Sequence, residues 1–278
     1  MLKLKILAFF LIISAVAAVR AQVASANDGS SATPAGVAAE QQLIDLVNQE
    51  RQRQGLAELA HEPKLTEAAR EHAQRMADRG SLSHQFPGEP ALRDRIARTD
   101  LRFKAVAENV GYANSVERVH STFMRSPGHR ANILDPDYNA VGIGVVRRGD
   151  YLYVAQNFAY RLPVYTEVEA EHLLLEQVNQ IRSAAGLQPL EVADSSEVFE
   201  RACTMAAEQS LRTRDVLRDL RTASHVVTFI ASDLTKPPSS LRELSRSRVY
   251  RRIAVGPCFA KSEKYPAGAW WVIVALYR

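Results

Sequence analysis

Ser126-Pro127-Gly128-His129-Arg130-Ala131-Asn132-Ile133-Leu134 is the most information-dense stretch of the 278-residue chain. Pro127 sits where a helix begins, since a missing N–H costs nothing in a first turn. His129 falls at that start, and Ile133 and Leu134 follow as the first apolar pair. Working outward, Ser115 is placed to cap a helix in which Val116, Val119 and Phe123 face a core. Downstream, Val141 to Val146 and Tyr151 to Phe158 are strand-like, and Arg148-Gly149-Asp150 is a turn between them, which predicts a hairpin. Upstream, Leu43, Ile44, Leu46 and Val47 form a helical stripe that Gly55 stops. Pro63 opens a second helix carrying Leu65, Ala68, Ala69, Ala73 and Met76, with Gly80 after it. Helices and hairpin strands mixed in this way predict an α/β fold, a sheet covered by helices.

The same pattern is written twice. Ala39–Leu59 and Ala170–Leu190 align without gaps at an offset of 131, with identities that include Asn48/Asn179, Arg51/Arg182, Gly55/Gly186 and Leu59/Leu190. Leu65, Ala69 and Ala73 correspond to Val198, Ala202 and Ala206. Tyr138-x-x-Val141-Gly142-Ile143-Gly144 is echoed by Tyr250-x-x-Ile253-Ala254-Val255-Gly256. The expected organisation is a leader over 1–21, a flexible lead-in over 22–37, one domain over 38–162 and a second over 166–278. The second copy is shorter before Tyr250, has no Pro-Gly-His-Arg run and offers only His225, in Ser224-His225, as a counterpart of Ser83-His84.

Lys3 and Lys5, the apolar run Ile6–Val19, and small residues through Ala26 read as a secretory signal peptide. The run is shorter than the roughly 20 residues of a bilayer-spanning helix. The reading is therefore a secreted or periplasmic protein, not integral to the membrane after cleavage. There Cys203 and Cys258 are either a disulfide or two small buried thiols. Glu40–Arg161 carries 17 basic and 16 acidic residues, and Glu167–Arg278 carries 15 and 14. Neither half has the positive excess that nucleic-acid binding needs. Arg242, Arg246, Arg248, Arg251 and Arg252 form a local basic cluster, read as a solvated face or a contact for an anionic envelope component.

His84, Glu108 and His129 are the candidate chemistry. Two imidazoles and a carboxylate can ligate a divalent metal, do acid–base work, or bond among themselves and fasten loops. Their spacing alone leaves these open. His72 reads as a helix-flank residue, and His120 as a neighbour of core-facing Val119.

Leu65-x-x-Ala68-Ala69, Ser83-His84, Glu108-Asn109, the Ser126–Leu134 run, Val141-Gly142-Ile143-Gly144 and Gln156-x-Phe158 together resemble the CAP family. These are the cysteine-rich secretory, antigen 5 and pathogenesis-related proteins, also called SCP domains; the likeness is to the bacterial branch, with the second copy degenerate. The resemblance implies an α-β-α sandwich with a cleft of two histidines and two acids that can hold a divalent metal, zinc or similar. His84, Glu108 and His129 match three positions, Asn109 and Asn132 flank them, and the fourth acid falls on Ser126. The missing acid implies weaker metal affinity. The function expected is a non-enzymatic binding protein for a metal and a lipid, envelope component or protein partner. The alternatives are a metal-assisted hydrolase, peptidase or esterase, with Glu108 as base, and a structural envelope adaptor.

Overall fold

The structure is a computed structural model that describes residues 33–278. The leader and all but the end of the expected lead-in lie outside the described residues. Helix α1 (Pro34–Arg53) starts inside that lead-in, because Thr33 Oγ1 accepts from the Gly36 N–H and Pro34 takes the first turn. Then follow β1 (Ala60–His61), α2 (Pro63–Arg79), α3 (Leu92–Ala97), β2 (Phe103–Ala113), α4 (Val116–Arg125), α5 (Pro127–Ile133), β3 (Ala140–Arg148) and β4 (Tyr151–Arg161). Gly80 caps α2 at φ 64°, and Ser115 Oγ caps α4 by accepting from Arg118 N–H.

The strands form one sheet in the order β1-β3-β4-β2, with β1 parallel and the rest antiparallel. One face packs Leu43, Val47, Val119, Phe123 and Ile133 from α1, α4 and α5 against Val141, Ile143, Val154 and Phe158. The other lies against α2 and α3. There the approach is so close that a Cβ on Gly144 would stand 2.3 Å from the Ala69 carbonyl carbon. This is an α-β-α sandwich.

The second half repeats it. Helix α6 (Glu167–Ala184), β5 (Glu191–Val192), α7 (Ser196–Glu208), α8 (Thr213–Asp219), β6 (His225–Ala231), α9 (Ser239–Ser245), β7 (Arg252–Ala260) and β8 (Ala269–Tyr277) build a sheet ordered β5-β7-β8-β6. Two of the residues shared in sequence do the same work in both halves. Arg51 donates to the Ile133 and Asp135 carbonyls at 2.9 and 2.8 Å, and Arg182 to those of Ser245 and Ser247 at 3.0 and 2.9 Å. Asn48 Oδ1 accepts from Leu59 N–H, and Asn179 Oδ1 from Leu190 N–H. Trp270 and Trp271 point to opposite faces of the sheet, each into its own core. Cys203 of α7 and Cys258 of β7 are joined in a disulfide, with Cα atoms 5.2 Å apart.

Candidate functional site

The site lies at the β2 end of the first sandwich. Glu108, in the middle of β2, is 6% exposed. A carboxylate buried this far must be paired, and both of its oxygens are. His84 Nδ1 is 3.0 Å from Oε1, and Arg95 of α3 donates to Oε2. His84 stands in the loop after α2 with its side chain 61% exposed, so its Nε2 edge faces outward. The hydrogen bond to Glu108 raises the His84 pKa above its ordinary value, against the pull of burial and of Arg95.

His129 is placed by its neighbours' amides. Asn109 is fully buried on β2; its Nδ2 donates to the His129 carbonyl at 3.1 Å and to Gln156 Oε1 at 3.2 Å. Asn132, one turn along α5, donates to Asn109 Oδ1 at 2.9 Å and to the Glu108 carbonyl at 3.4 Å. These bonds pin the short α5 to the sheet. The His129 ring rests edge-on against Phe123, and its Nδ1 is buried without a hydrogen-bond partner. Burial, and then the nearby His84, lower the His129 pKa.

The structure adds three residues that the sequence reading did not select. Glu89, in the loop after His84, is 5% exposed and shares Arg95 with Glu108. Burial would raise its pKa, but the Phe86 N–H, His72 and Arg95 outweigh that and hold it below the usual carboxylate range. His72, expected on a helix flank, is instead completely buried, with Nδ1 2.8 Å from Glu89 Oε1 and Nε2 2.8 Å from the Ser83 carbonyl. Arg95 also donates to the His84 carbonyl at 3.0 Å. The only hint of this network in the sequence is a cluster of charges among turn residues between Ser83 and Arg98.

Two features bear on the expected site. The absence of an acid at Ser126 does not leave the surroundings of Glu108 with a single carboxylate, because Glu89, from another loop, shares Arg95 with it. Ser126 itself sits at the α4–α5 junction, and its hydroxyl bonds to none of the three candidates. Among the described residues no group of three His, Cys, Asp or Glu side chains is placed to hold a metal ion, and Glu108 has both oxygens engaged by His84 and Arg95.

The second half carries no copy of this site. Ile253 pairs with Leu276 as Val141 pairs with Phe158, and the partner strands then set His225 opposite Leu276 as Ala107 is opposite Phe158. His225 is therefore the counterpart of Ala107, not of His84, and Val226 occupies the place of Glu108. Met205 falls where His72 stands, so an apolar core replaces the polar network.

Residues 44–158 match the cysteine-rich secretory protein family, CAP. They are a CAP domain. The uncharacterized protein YkwD of Bacillus subtilis (strain 168) is 33% identical over 128 residues, which is 45% of this chain and 50% of YkwD. An extracellular protein containing an SCP domain from Bacillus anthracis str. Ames is 28% identical with a TM-score of 0.43, covering 46% of this chain and 43% of that one. A cysteine-rich secretory protein from Staphylococcus aureus subsp. aureus Mu50 is 26% identical with a TM-score of 0.39, covering 46% and 40%. The match spans half or less of each of these relatives. No helix among the described residues is long and apolar enough to cross a membrane.

Proposed function

We propose that the chain is an exported binding protein whose CAP domain takes its ligand at the His84–His129 pair, with Glu108 behind His84 as an orienting group. The second half is read as a degenerate CAP-like domain that carries no cleft chemistry of this kind. The observation that carries the reading is the buried Nδ1 of His129, which has no partner, beside a His84 whose inner nitrogen is tied to Glu108. A carboxylate that fixes one imidazole nitrogen leaves the other aimed outward as a donor or ligand. The two imidazoles suit a divalent ion such as zinc that completes its shell from solvent or from a bound partner. The partner is a lipid, an envelope component or a protein.

The hydrolase reading gains less support. Glu108 is held on both oxygens, so it is not free to take a proton from water, and the role left to it is to set the tautomer of His84. The envelope-adaptor reading has no observation of its own.

The test is calorimetric titration of the full chain with zinc chloride, with the imidazole signals followed by NMR. Saturable binding that is lost in His84→Ala and in His129→Ala is expected. Glu108→Gln is expected to weaken it about 10- to 100-fold, as an outer-sphere partner does, and to lower the His84 pKa. No heat of binding, with the His84 and His129 signals unmoved, overturns the metal part of the proposal.

A further inference from the structure

The second half has no counterpart of α4. In the first half residues 114–126, between β2 and α5, contain that ten-residue helix; in the second, residues 232–238, between β6 and α9, contain none. In the first half α4 stands against α1, with His120 Nε2 3.8 Å from Glu50 Oε1 and within electrostatic reach of Arg53. At the offset of 131, Glu50 becomes Ile181 and Arg53 becomes Ala184. With no helix over them, both line an open cleft of 440 Å³ between α6, the segment before α9, and α9 itself.

The lining is charged in one sense only. Arg242 of α9 and Arg246, which caps the C-terminal end of that helix, stand at the cleft, and no carboxylate lines it. No ion pair to either arginine is found among the described residues. On the opposite wall Gln177 donates from Nε2 to the Leu234 carbonyl at 2.9 Å, while its Oε1 is buried without a partner. Ile181, Ala184 and Pro237 give the lining an apolar part.

We propose that this cleft binds a phosphomonoester with a compact apolar body. The phosphate bridges the guanidinium groups of Arg242 and Arg246, and the body lies over Ile181, Ala184 and Pro237. Three terminal oxygens in a tetrahedron can serve two guanidinium forks at once, whereas a planar carboxylate is satisfied by one. A phosphomonoester has its second pKa near 6, so at neutral pH it meets the two guanidinium groups chiefly as the dianion. The apolar part of the lining favours an organic phosphate over the free ion. None of this depends on the His84 site.

The test is titration of the full chain with phenyl phosphate, read by calorimetry and by amide shifts, with inorganic phosphate and benzyl alcohol as separate probes. Expected are saturable binding of phenyl phosphate that moves the Ile181, Ala184 and Arg246 amides, and clearly weaker binding of the other two. Arg242→Gln with Arg246→Gln is expected to weaken phenyl phosphate by about ten-fold or more. Ile181→Glu, which restores the first half's residue type, is expected to abolish binding while zinc titration at His84 is unchanged. The proposal is overturned if phenyl phosphate gives no saturable signal up to about 10 mM. Equal binding of inorganic phosphate, or an unchanged affinity in the double arginine variant with its melting temperature preserved, overturns it as well.

Discussion

Arg95 is one cation shared by two buried carboxylates, and that sharing holds the polar network together. Its guanidinium reaches Glu89, Glu108, the His72 ring and the His84 carbonyl. Removing it strands two acids with little water to replace it. Arg95→Ala is expected to cost roughly 3–5 kcal/mol by urea denaturation and to release the His84 loop, seen as faster amide exchange from Ser83 to Glu89. His120 behaves in the opposite sense. Both ring nitrogens are buried without hydrogen bonds, and burial lowers its pKa below 6.5; the Glu50 carboxylate pulls it back up and Arg53 pushes it down. Across the window below 6.5 the unfolded chain therefore binds more protons than the folded one. Stability from this group is full above that value and is lost as the pH falls through it toward the folded pKa. His120→Phe is expected to flatten the fall in melting temperature between about pH 7 and pH 5. Of these residues His84, Glu108 and His129 were legible in the sequence, because each lies in a short motif. Glu89, His72 and Arg95 were not. They meet over separations of 17 and 23 residues, and no spacing rule spans a loop of that kind.

At the scale of elements, caps and glycines set what the helices can touch. Helix α2 lies directly on β3 because Gly142 and Gly144 have no side chain there, and α7 lies on β7 over Gly256 for the same reason. A Cβ at Gly144 would meet the backbone of Ala69 and Arg70, which belong to a regular helix and cannot give way locally. Gly144→Ala is expected to destabilise by about 1–3 kcal/mol or more, measured by thermal unfolding. Gly149→Ala makes a useful contrast. It has open space around its Cβ but sits at φ 58°, so its cost is backbone strain alone, about 1 kcal/mol. The helix boundaries, the hairpin and the repeat were readable, since capping and periodicity act within a few residues. The α1 start was placed too late because Ala-rich residues before Ala38 resemble a linker until Thr33 is seen capping them.

Over the whole molecule, the two sandwiches meet through side chains of both. Arg102, at the entry to β2, is buried with its guanidinium 4.0 Å from the Phe259 ring centre and 5.0 Å from that of Trp270. Lys261 pairs with Asp100, and Ala267 joins the core around Leu65 and Ile96. Both tryptophans of the chain lie in the second half, and Trp270 is at this junction. Arg102→Ala is expected to lose about 1–2 kcal/mol through cation–π contact and packing. The tryptophan fluorescence transition in urea should move to lower denaturant; an unmoved midpoint would mean that the halves unfold without reference to each other. The sequence by itself determined two copies of one plan, the helices α1, α2 and α4 and the β3–β4 hairpin of the first, and it singled out His84, Glu108 and His129 as candidates. Periodicity, caps and short motifs act locally, and their repetition is visible along the chain. Only the tertiary structure decided that Glu108 lies against His84 and Arg95, that Glu89 shares that arginine, that the cysteines are bonded, and that a missing helix leaves a basic cleft. Each of those depends on which distant side chains a sheet register and a helix crossing bring within about 3 Å of one another, and linear order does not carry that distance.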